Sequence, residues 1–198
     1  HTAIFISIVG GILMIFIGVF FSKPLLQLMA TPEDVIDLSS LYMRIYFVGM
    51  PFFMLYNFGA AILRSIGDTK RPLYFLLISG IINVVFNLFF VIVLHMGVAG
   101  VALATMISEG ISAGLILLCL KHMDGTLHFE LKNMRFHKDL ALKMLEVGLP
   151  AGLQGIIFSI SNVLIQSSVN SFGSVVMAGN TAASNIEGFV YTSDRKST

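Results

Sequence analysis

Charge is scarce in this sequence: only 12% of its 198 residues are Asp, Glu, Lys or Arg, about half the share found in soluble domains. Cys119 is the sole cysteine, which excludes an intrachain disulfide and a thiolate metal site. The chain has no phosphate-binding P-loop and no short signature of zinc or serine hydrolases, so we assign no catalytic or cofactor-binding residues. Its net charge of +1 gives no indication of nucleic-acid binding.

Long apolar runs without charge are what the sequence does have. Residues 2–22, 45–63 and 73–94 approach or exceed the ~20 residues that a helix needs to cross a bilayer, and residues 147–186 suffice for two crossings. Polar turns and prolines between the runs predict six spans, which end near residues 22, 66, 95, 120, 170 and 191. The predicted fold class is an all-α membrane protein, a polytopic helical bundle. Because the chain begins inside an apolar run without Met, we expect a fragment.

Lys and Arg are concentrated on one side of this predicted topology. Ten of the twelve lie in or beside residues 64–72 and 121–139, or near the C-terminal end. Cytoplasmic loops of membrane proteins carry an excess of these residues, so residues 64–72 and 121–139 are predicted to lie in the cytoplasm. We expect the plasma membrane of a bacterium.

Two amides interrupt the third apolar run, which reads "IINVVFNLFF" at residues 81–90. Asn83 and Asn87 share one helix face, and Thr105 and Glu109 share a face of the next span. Counting outward from a turn centred near residue 96 places Asn87 level with Thr105, and Asn83 level with Glu109. Such groups are costly in lipid. They either form interhelical hydrogen bonds or hold a cation such as Na⁺, which prefers oxygen ligands; Glu109 is a candidate proton or cation group.

A second polar stripe follows the fifth predicted span. It contains Gln154, Asn162, Gln166 and Asn170 at steps of four and eight residues. These amides either pack against neighbouring helices or line a cavity for a polar or cationic substrate. We take Gln154, Asn162 and Gln166 as the cavity candidates.

Several stretches, taken in order, resemble the multidrug and toxic compound extrusion (MATE) family of transporters. They are Pro51, "RSIGDTKRP" at 64–72, "NVVFN" at 83–87, "GVAGVALAT" at 97–105, and the block from "GLPAG" at 148–152 to "GFVY" at 188–191. The resemblance covers about residues 1–192. It implies six visible spans of a total of twelve in two pseudo-symmetric lobes, and these six would be helices three to eight. Residues 1–120 would then be part of the N-terminal lobe, 121–139 an inter-lobe linker, and 140–198 the start of the C-terminal lobe.

The resemblance also implies a coupling-ion site. Some members of the family use an acid on helix one, an Asn and an Asp four residues apart on helix five, and a Thr on helix six. Asn83, Asn87 and Thr105 match the last three positions, but Asn87 replaces the Asp and helix one is absent. The functional Glu that NorM-type members carry on helix seven corresponds to Phe158, so the chain resembles the DinF-like branch instead. Glu109 could compensate for the missing carboxylate.

The expected function is therefore a secondary transporter, which exports drugs or other organic cations in exchange for Na⁺ or H⁺. The alternative is a lipid-linked precursor flippase of the same superfamily, although several basic cavity residues would then be expected. An intramembrane enzyme would need a convergent catalytic set that the spans lack, and a scaffold would not need paired amides. The partners would be small organic cations and the lipid bilayer, and we expect the full-length protein to be a monomer.

Overall fold

A computed structural model describes residues 1–123 and 136–194 of the chain. All regular elements in that part are helical: α1 (Thr2–Leu28), α2 (Glu33–Ser65), α3 (Lys70–Leu88), a π-helical segment that continues α3 (Phe89–Val93), α4 (Gly97–Lys121), α5 (Lys138–Asn170) and α6 (Ser174–Asp194). The predicted all-helical bundle is confirmed. Most of the predicted linker, residues 121–139, lies outside the described residues, as does the charged end at 195–198.

Five helices of the described part are long and apolar enough to cross a membrane: α1, α2, α3 with its π-helical segment, α4 and α5. The sixth predicted span also forms a helix, but α6 is less apolar than the others. Asn180, Asn185 and Glu187 lower its hydropathy. Of the six predicted spans, five therefore correspond to helices that are long and apolar enough to cross a membrane, and the sixth forms a more polar helix.

The first helix is longer than predicted. We expected it to end at the Ser-Lys-Pro sequence of residues 22–24, yet α1 continues through Pro24 to Leu28. A proline removes one hydrogen bond from the helical ladder, and a membrane helix tolerates that loss when neighbouring groups keep the remaining ladder intact. Two residues beyond the helix, Ala30 has a left-handed φ of 53° and turns the chain. The N–H of Thr31 then bonds the Leu26 carbonyl at 3.1 Å, which closes the helix end.

Glycine ends the second helix in the same way. Gly67 has a φ of 84°, its N–H bonds the Arg64 carbonyl at 3.0 Å, and the Asp68 N–H bonds the Leu63 carbonyl at 3.0 Å. Glycine adopts this conformation without the steric penalty of a Cβ atom. The left-handed backbone of Gly67 thus forms the predicted turn between the second and third spans.

Close packing of α1 on α2 depends on small residues. The buried positions of α1 include Ser7, Gly11, Gly18 and Ser22, which recur at helical spacing along one face. Gly11 lies against the backbone of Pro51, and Gly18 lies against the ring of Phe47. A buried apolar cluster completes this part of the fold with residues of α1, α2 and α4: Ile4, Leu55, Tyr56, Ala60, Leu63, Ala113, Ile116 and Leu120.

The chain divides into two compact units. The first comprises residues 1–22 and 40–149 and contains the apolar cluster as well as the α3–α4 pair. The second comprises residues 23–39 and 150–198, which bring the connection between α1 and α2 together with α6 and most of α5. Helix α5 passes from one unit to the other at Pro150.

Candidate coupling-ion site on the third and fourth helices

Hydrogen bonds join the two amides of α3 to two hydroxyls of α4. The Asn83 amide nitrogen donates to Ser108 Oγ at 3.2 Å and approaches Thr105 Oγ1 at 3.5 Å. The Asn87 amide nitrogen donates to Asn83 Oδ1 at 2.9 Å. We call Asn83, Asn87, Thr105 and Ser108 the amide cluster. It places neutral oxygen and nitrogen groups between two antiparallel helices.

The hydroxyls of the cluster are fixed by their own helix. Thr105 Oγ1 donates its proton to the Val101 carbonyl at 3.0 Å, and Ser108 Oγ donates to the Thr105 carbonyl at 2.8 Å. A hydroxyl has one proton and two acceptor lone pairs, so both oxygens then present only lone pairs to α3. That orientation suits the Asn83 amide, and it would equally suit a cation.

One atom of the cluster has no partner. Asn87 Oδ1 is buried and accepts no hydrogen bond from the described residues. A buried acceptor without a donor costs about 1–3 kcal/mol, so such an atom calls for an explanation. A cation or a water molecule at this oxygen would remove the cost.

The observed register differs from the predicted one. Asn83, not Asn87, contacts Thr105, and Ser108 rather than Glu109 is its second neighbour. The π-helical segment explains the shift: the Leu94 N–H bonds the Phe89 carbonyl five residues back at 3.2 Å. A π turn takes up more residues than an α turn, so equal residue counts on α3 and α4 do not reach equal depths. Sequence counting assumed a regular α-helix up to the turn.

Glu109 lines a small cavity between α2 and α4, and in the described residues no hydrogen bond joins it to the Asn83 amide. The cavity has a volume of about 10 Å³, which is at the lower limit for holding one water molecule. Its lining residues are Tyr46, Gly49, Met50, Phe53, Thr105, Met106 and Glu109. Within the described part of the chain, the Glu109 carboxylate has no ion-pair partner. Thr105 belongs both to this cavity and to the amide cluster, so it connects them.

The cavity candidates of α5 have different surroundings. Gln154 and Asn162 are exposed. Gln166 is half-buried, and its amide nitrogen donates to Asn170 Oδ1 at 2.8 Å. The Gln166 amide therefore bonds within its own helix. That Gln154 and Asn162 line a substrate cavity stays a prediction.

Two residues near the candidate site were not predicted from the sequence. Ser108 was not named among the candidates, and Tyr46 on α2 was not considered, although it lines the Glu109 cavity. Tyr46 carried no signal in the sequence, since its contact depends on how α2 packs against α4. In the described residues, no cluster of three or more His, Cys, Asp or Glu could hold a metal ion.

Comparisons with known proteins point to one family. Residues 1–89 match the MatE family model. The chain is 37% identical over 175 residues to a Bacillus subtilis protein named "Probable multidrug resistance protein YpnP", and the match covers 87% of this chain and 38% of that protein. It is 33% identical to "Probable multidrug resistance protein YoeA" of the same organism, with 91% and 40% covered. The chain thus spans about two fifths of these relatives' length.

A solved structure shares the fold. It is described as an inward-facing conformation of a multidrug resistance MATE family transporter, and it superimposes with a TM-score of 0.68 at 24% sequence identity. The superposition covers 85% of this chain and 37% of the solved one. The helical arrangement is therefore the one that this solved transporter uses for the corresponding part.

Proposed function

The chain belongs to the MATE family, and we propose that it forms part of a secondary transporter that exports organic cations in exchange for Na⁺ or H⁺. The family consists of transporters, which agrees with the prediction of a non-enzyme. Multidrug resistance is what the names of the two Bacillus relatives state. Because the chain spans only about two fifths of those relatives, the activity proposed is that of the whole protein that contains it.

The unpartnered oxygen of Asn87 is the observation that carries the proposal for the coupling site. Asn83 and Asn87 supply amide oxygens, Thr105 supplies a hydroxyl oxygen, and hard cations such as Na⁺ prefer ligands of this kind. A cation at Asn87 Oδ1 would remove a buried, unsatisfied acceptor. Polar groups at membrane depth that face a helix interface are expected to serve ion pathways.

Neutral oxygens can coordinate a cation but leave its charge uncompensated, and a nearby carboxylate would supply the compensating charge. Glu109 is the coupling candidate, because its cavity shares Thr105 with the amide cluster. Proton uptake at Glu109 or Na⁺ binding at the amides would alter how α4 packs against α2 and α3. This is the local change that would be linked to substrate release.

Charge favours organic cations over an anionic lipid precursor as the substrate. In the described part of the chain, Arg44 is the only arginine that lies away from the ends of a helix, and its Nε donates to Ser22 Oγ at 3.2 Å. One N–H of its guanidinium is therefore engaged within the first unit. Holding a pyrophosphate would require several free basic groups, whereas the amides of Gln154 and Asn162 and the carboxylate of Glu109 suit a cation.

The proposed topology follows the distribution of Lys and Arg. Residues 64–72 and 121–139 would face the cytoplasm of a bacterial cell, and the turns at 29–32 and 171–173 would face outward. Residues 1–120 would belong to the N-terminal lobe and 140–198 to the C-terminal lobe. A monomer with both lobes would be the functional unit.

Transport by the full-length protein in liposomes tests the proposal. An imposed Na⁺ or H⁺ gradient should drive ethidium, a fluorescent organic cation, across the membrane. Asn83→Leu should slow this export about tenfold or more, as loss of a site-forming group typically does. Asn57→Leu is a matched control, because the Asn57 amide donates only to the Phe53 carbonyl of its own helix, at 2.8 Å. Gradient-independent ethidium movement, or equal loss in both variants, would contradict the proposal.

A further inference from the structure

A buried amide at the end of α5 connects two parts of the chain that are far apart in sequence. Asn170 is 4% exposed, and its amide nitrogen donates to the Met29 carbonyl at 3.0 Å. Its oxygen accepts a hydrogen bond from the Gln166 amide at 2.8 Å. Both polar atoms of the side chain are therefore used, and Gln166 fixes the orientation in which Asn170 donates to Met29.

The carbonyl that receives this bond is left free by the way α1 ends. The Leu26 carbonyl accepts from the Thr31 N–H at 3.1 Å, and the Gln27 carbonyl accepts from the Ala30 N–H at 3.0 Å. The left-handed Ala30 then turns the chain away from the helix, so the Met29 carbonyl lies beyond the helical ladder. An exposed ion pair between Lys23 and Asp37, at 2.7 Å, spans the same connection and holds α1 and α2 together there.

Little else of α5 within this unit is buried. All residues from 150 to 165 are exposed, and burial begins only with Gln166 at the last turn. Residues 23–39 and 150–198 nevertheless form one compact unit. The hydrogen bond from Asn170 to Met29 is therefore a principal polar contact between the α1–α2 connection and α5.

The same compact unit contains a groove, whose lining residues follow Met29 and Asn170 in the chain. It has a volume of about 770 Å³ and is lined by Val35 of α2 together with α6 residues that include Val175, Ala178 and Ala182. Its walls come from the start of α2 on one side and from α6 on the other. Separating the two sides would open the groove further.

We propose that the hydrogen bond between Asn170 and Met29 is a latch that holds the outward-facing ends of the two lobes together. The inference rests on the proposed function, which assigns α1 and α2 to one lobe and α5 and α6 to the other. In the proposed topology, both partners lie at turns on the side of the membrane opposite to most of the basic residues. With the latch closed, the outer end of the transport path is shut, and it must break before substrate leaves.

A cysteine reporter in the groove tests the latch without any transport measurement. Ala178→Cys is introduced into the full-length protein, in a background with Cys119→Ser and no other cysteine. Intact cells are then labelled with a membrane-impermeant maleimide. Asn170→Ala removes both hydrogen bonds of the latch. Asn170→Asp keeps the acceptor for Gln166 but cannot donate to Met29 at pH 8. Ser168→Ala is the control, because the Ser168 hydroxyl bonds only the Leu164 carbonyl of α5, at 3.0 Å.

The expected result is faster labelling of position 178 in both Asn170 variants, by about three- to fivefold, the population shift that one hydrogen bond of ordinary net strength supports. Ser168→Ala should label at the parent rate. Equal labelling rates in all four proteins, each eluting as one folded species from a sizing column, would overturn the latch. If gradient-driven ethidium export is observed but the labelling rates are equal, the latch is wrong and the proposed function is retained. Faster labelling without gradient-driven export would instead overturn the proposed function.

Discussion

Replacing Gly11 with alanine should drive α1 and α2 apart, whereas the same change at the adjacent Gly10 should not. A methyl group at Gly11 would overlap the Cα atom of Pro51 and would lie 2.9 Å from both its nitrogen and its Cβ. These are backbone and ring atoms that no side-chain rotation can move. A methyl group at Gly10 would meet only the end of the Met54 side chain, with the terminal carbon at 3.1 Å and the sulfur at 3.6 Å, and that flexible side chain can turn away.

The difference between the two variants isolates the packing cost. Alanine is favoured over glycine inside a helix by about 0.8–1.0 kcal/mol, and this gain applies equally at both positions. Forcing extra atoms into a packed interface costs about 1–3 kcal/mol. Because the obstacle at Gly11 is backbone, we expect the upper part of that range. Gly11→Ala should therefore be about 2–3 kcal/mol less stable than Gly10→Ala.

Thermal unfolding of the full-length protein in detergent provides the measurement. Samples are heated in steps, and the fraction that still elutes as folded protein is followed. Gly10→Ala should unfold at or slightly above the wild-type temperature, and Gly11→Ala clearly below it. Equal unfolding temperatures for the two variants would refute the packing of α1 on Pro51.

Three further outcomes are expected. Gly67→Ala should destabilise the protein by about 1–2 kcal/mol through the left-handed backbone alone, since no atom lies within 4 Å of a Cβ there; an unchanged unfolding temperature would contradict this. Tyr56→Phe should lower the free energy of unfolding by about 0.5–1.5 kcal/mol, because the Tyr56 hydroxyl donates to the Pro72 carbonyl at 2.8 Å; an unchanged unfolding temperature in the same assay would contradict this. Glu109→Gln should make ethidium export less dependent on pH in liposomes, and an unaltered pH profile would exclude Glu109 from coupling.

The charge-free runs and the polar turns between them located all six helices, and Gly67 lies in the predicted turn after α2. Pro24 was misleading, because a proline near a helix end can be accommodated when the rest of the ladder persists. The local sequence does not indicate which prolines a helix can contain without ending.

Hydrogen bonds join Asn83, Asn87 and Thr105, but not in the pairing that the sequence predicted, and their role in ion binding stays a prediction. Spacing of four residues placed Asn83 and Asn87 on one face, and the structure joins them directly. The partner of Asn83 was displaced because a π-helical segment precedes the turn, and no residue type announces such a segment.

Contacts over long distances in the chain were not predictable from the sequence. The bond between Asn170 and Met29 joins residues 141 positions apart, and its acceptor is a backbone carbonyl, which is the same for every residue type. The small-residue face of α1 carried a readable pattern, but its partner, Pro51, becomes evident only when the helices are packed.

The central test asks whether the unpartnered Oδ1 of Asn87 takes part in coupling. It measures ethidium export in liposomes by the wild-type, Asn87→Leu and Asn87→Asp forms of the full-length protein. Leucine removes that oxygen at similar size, so Asn87→Leu should lose the acceleration by a Na⁺ or H⁺ gradient while eluting as folded protein. Asp keeps an oxygen at the same position and should retain the acceleration, with an altered dependence on Na⁺ or pH. Full gradient-driven export by Asn87→Leu would show that the amide cluster is only a packing contact between α3 and α4.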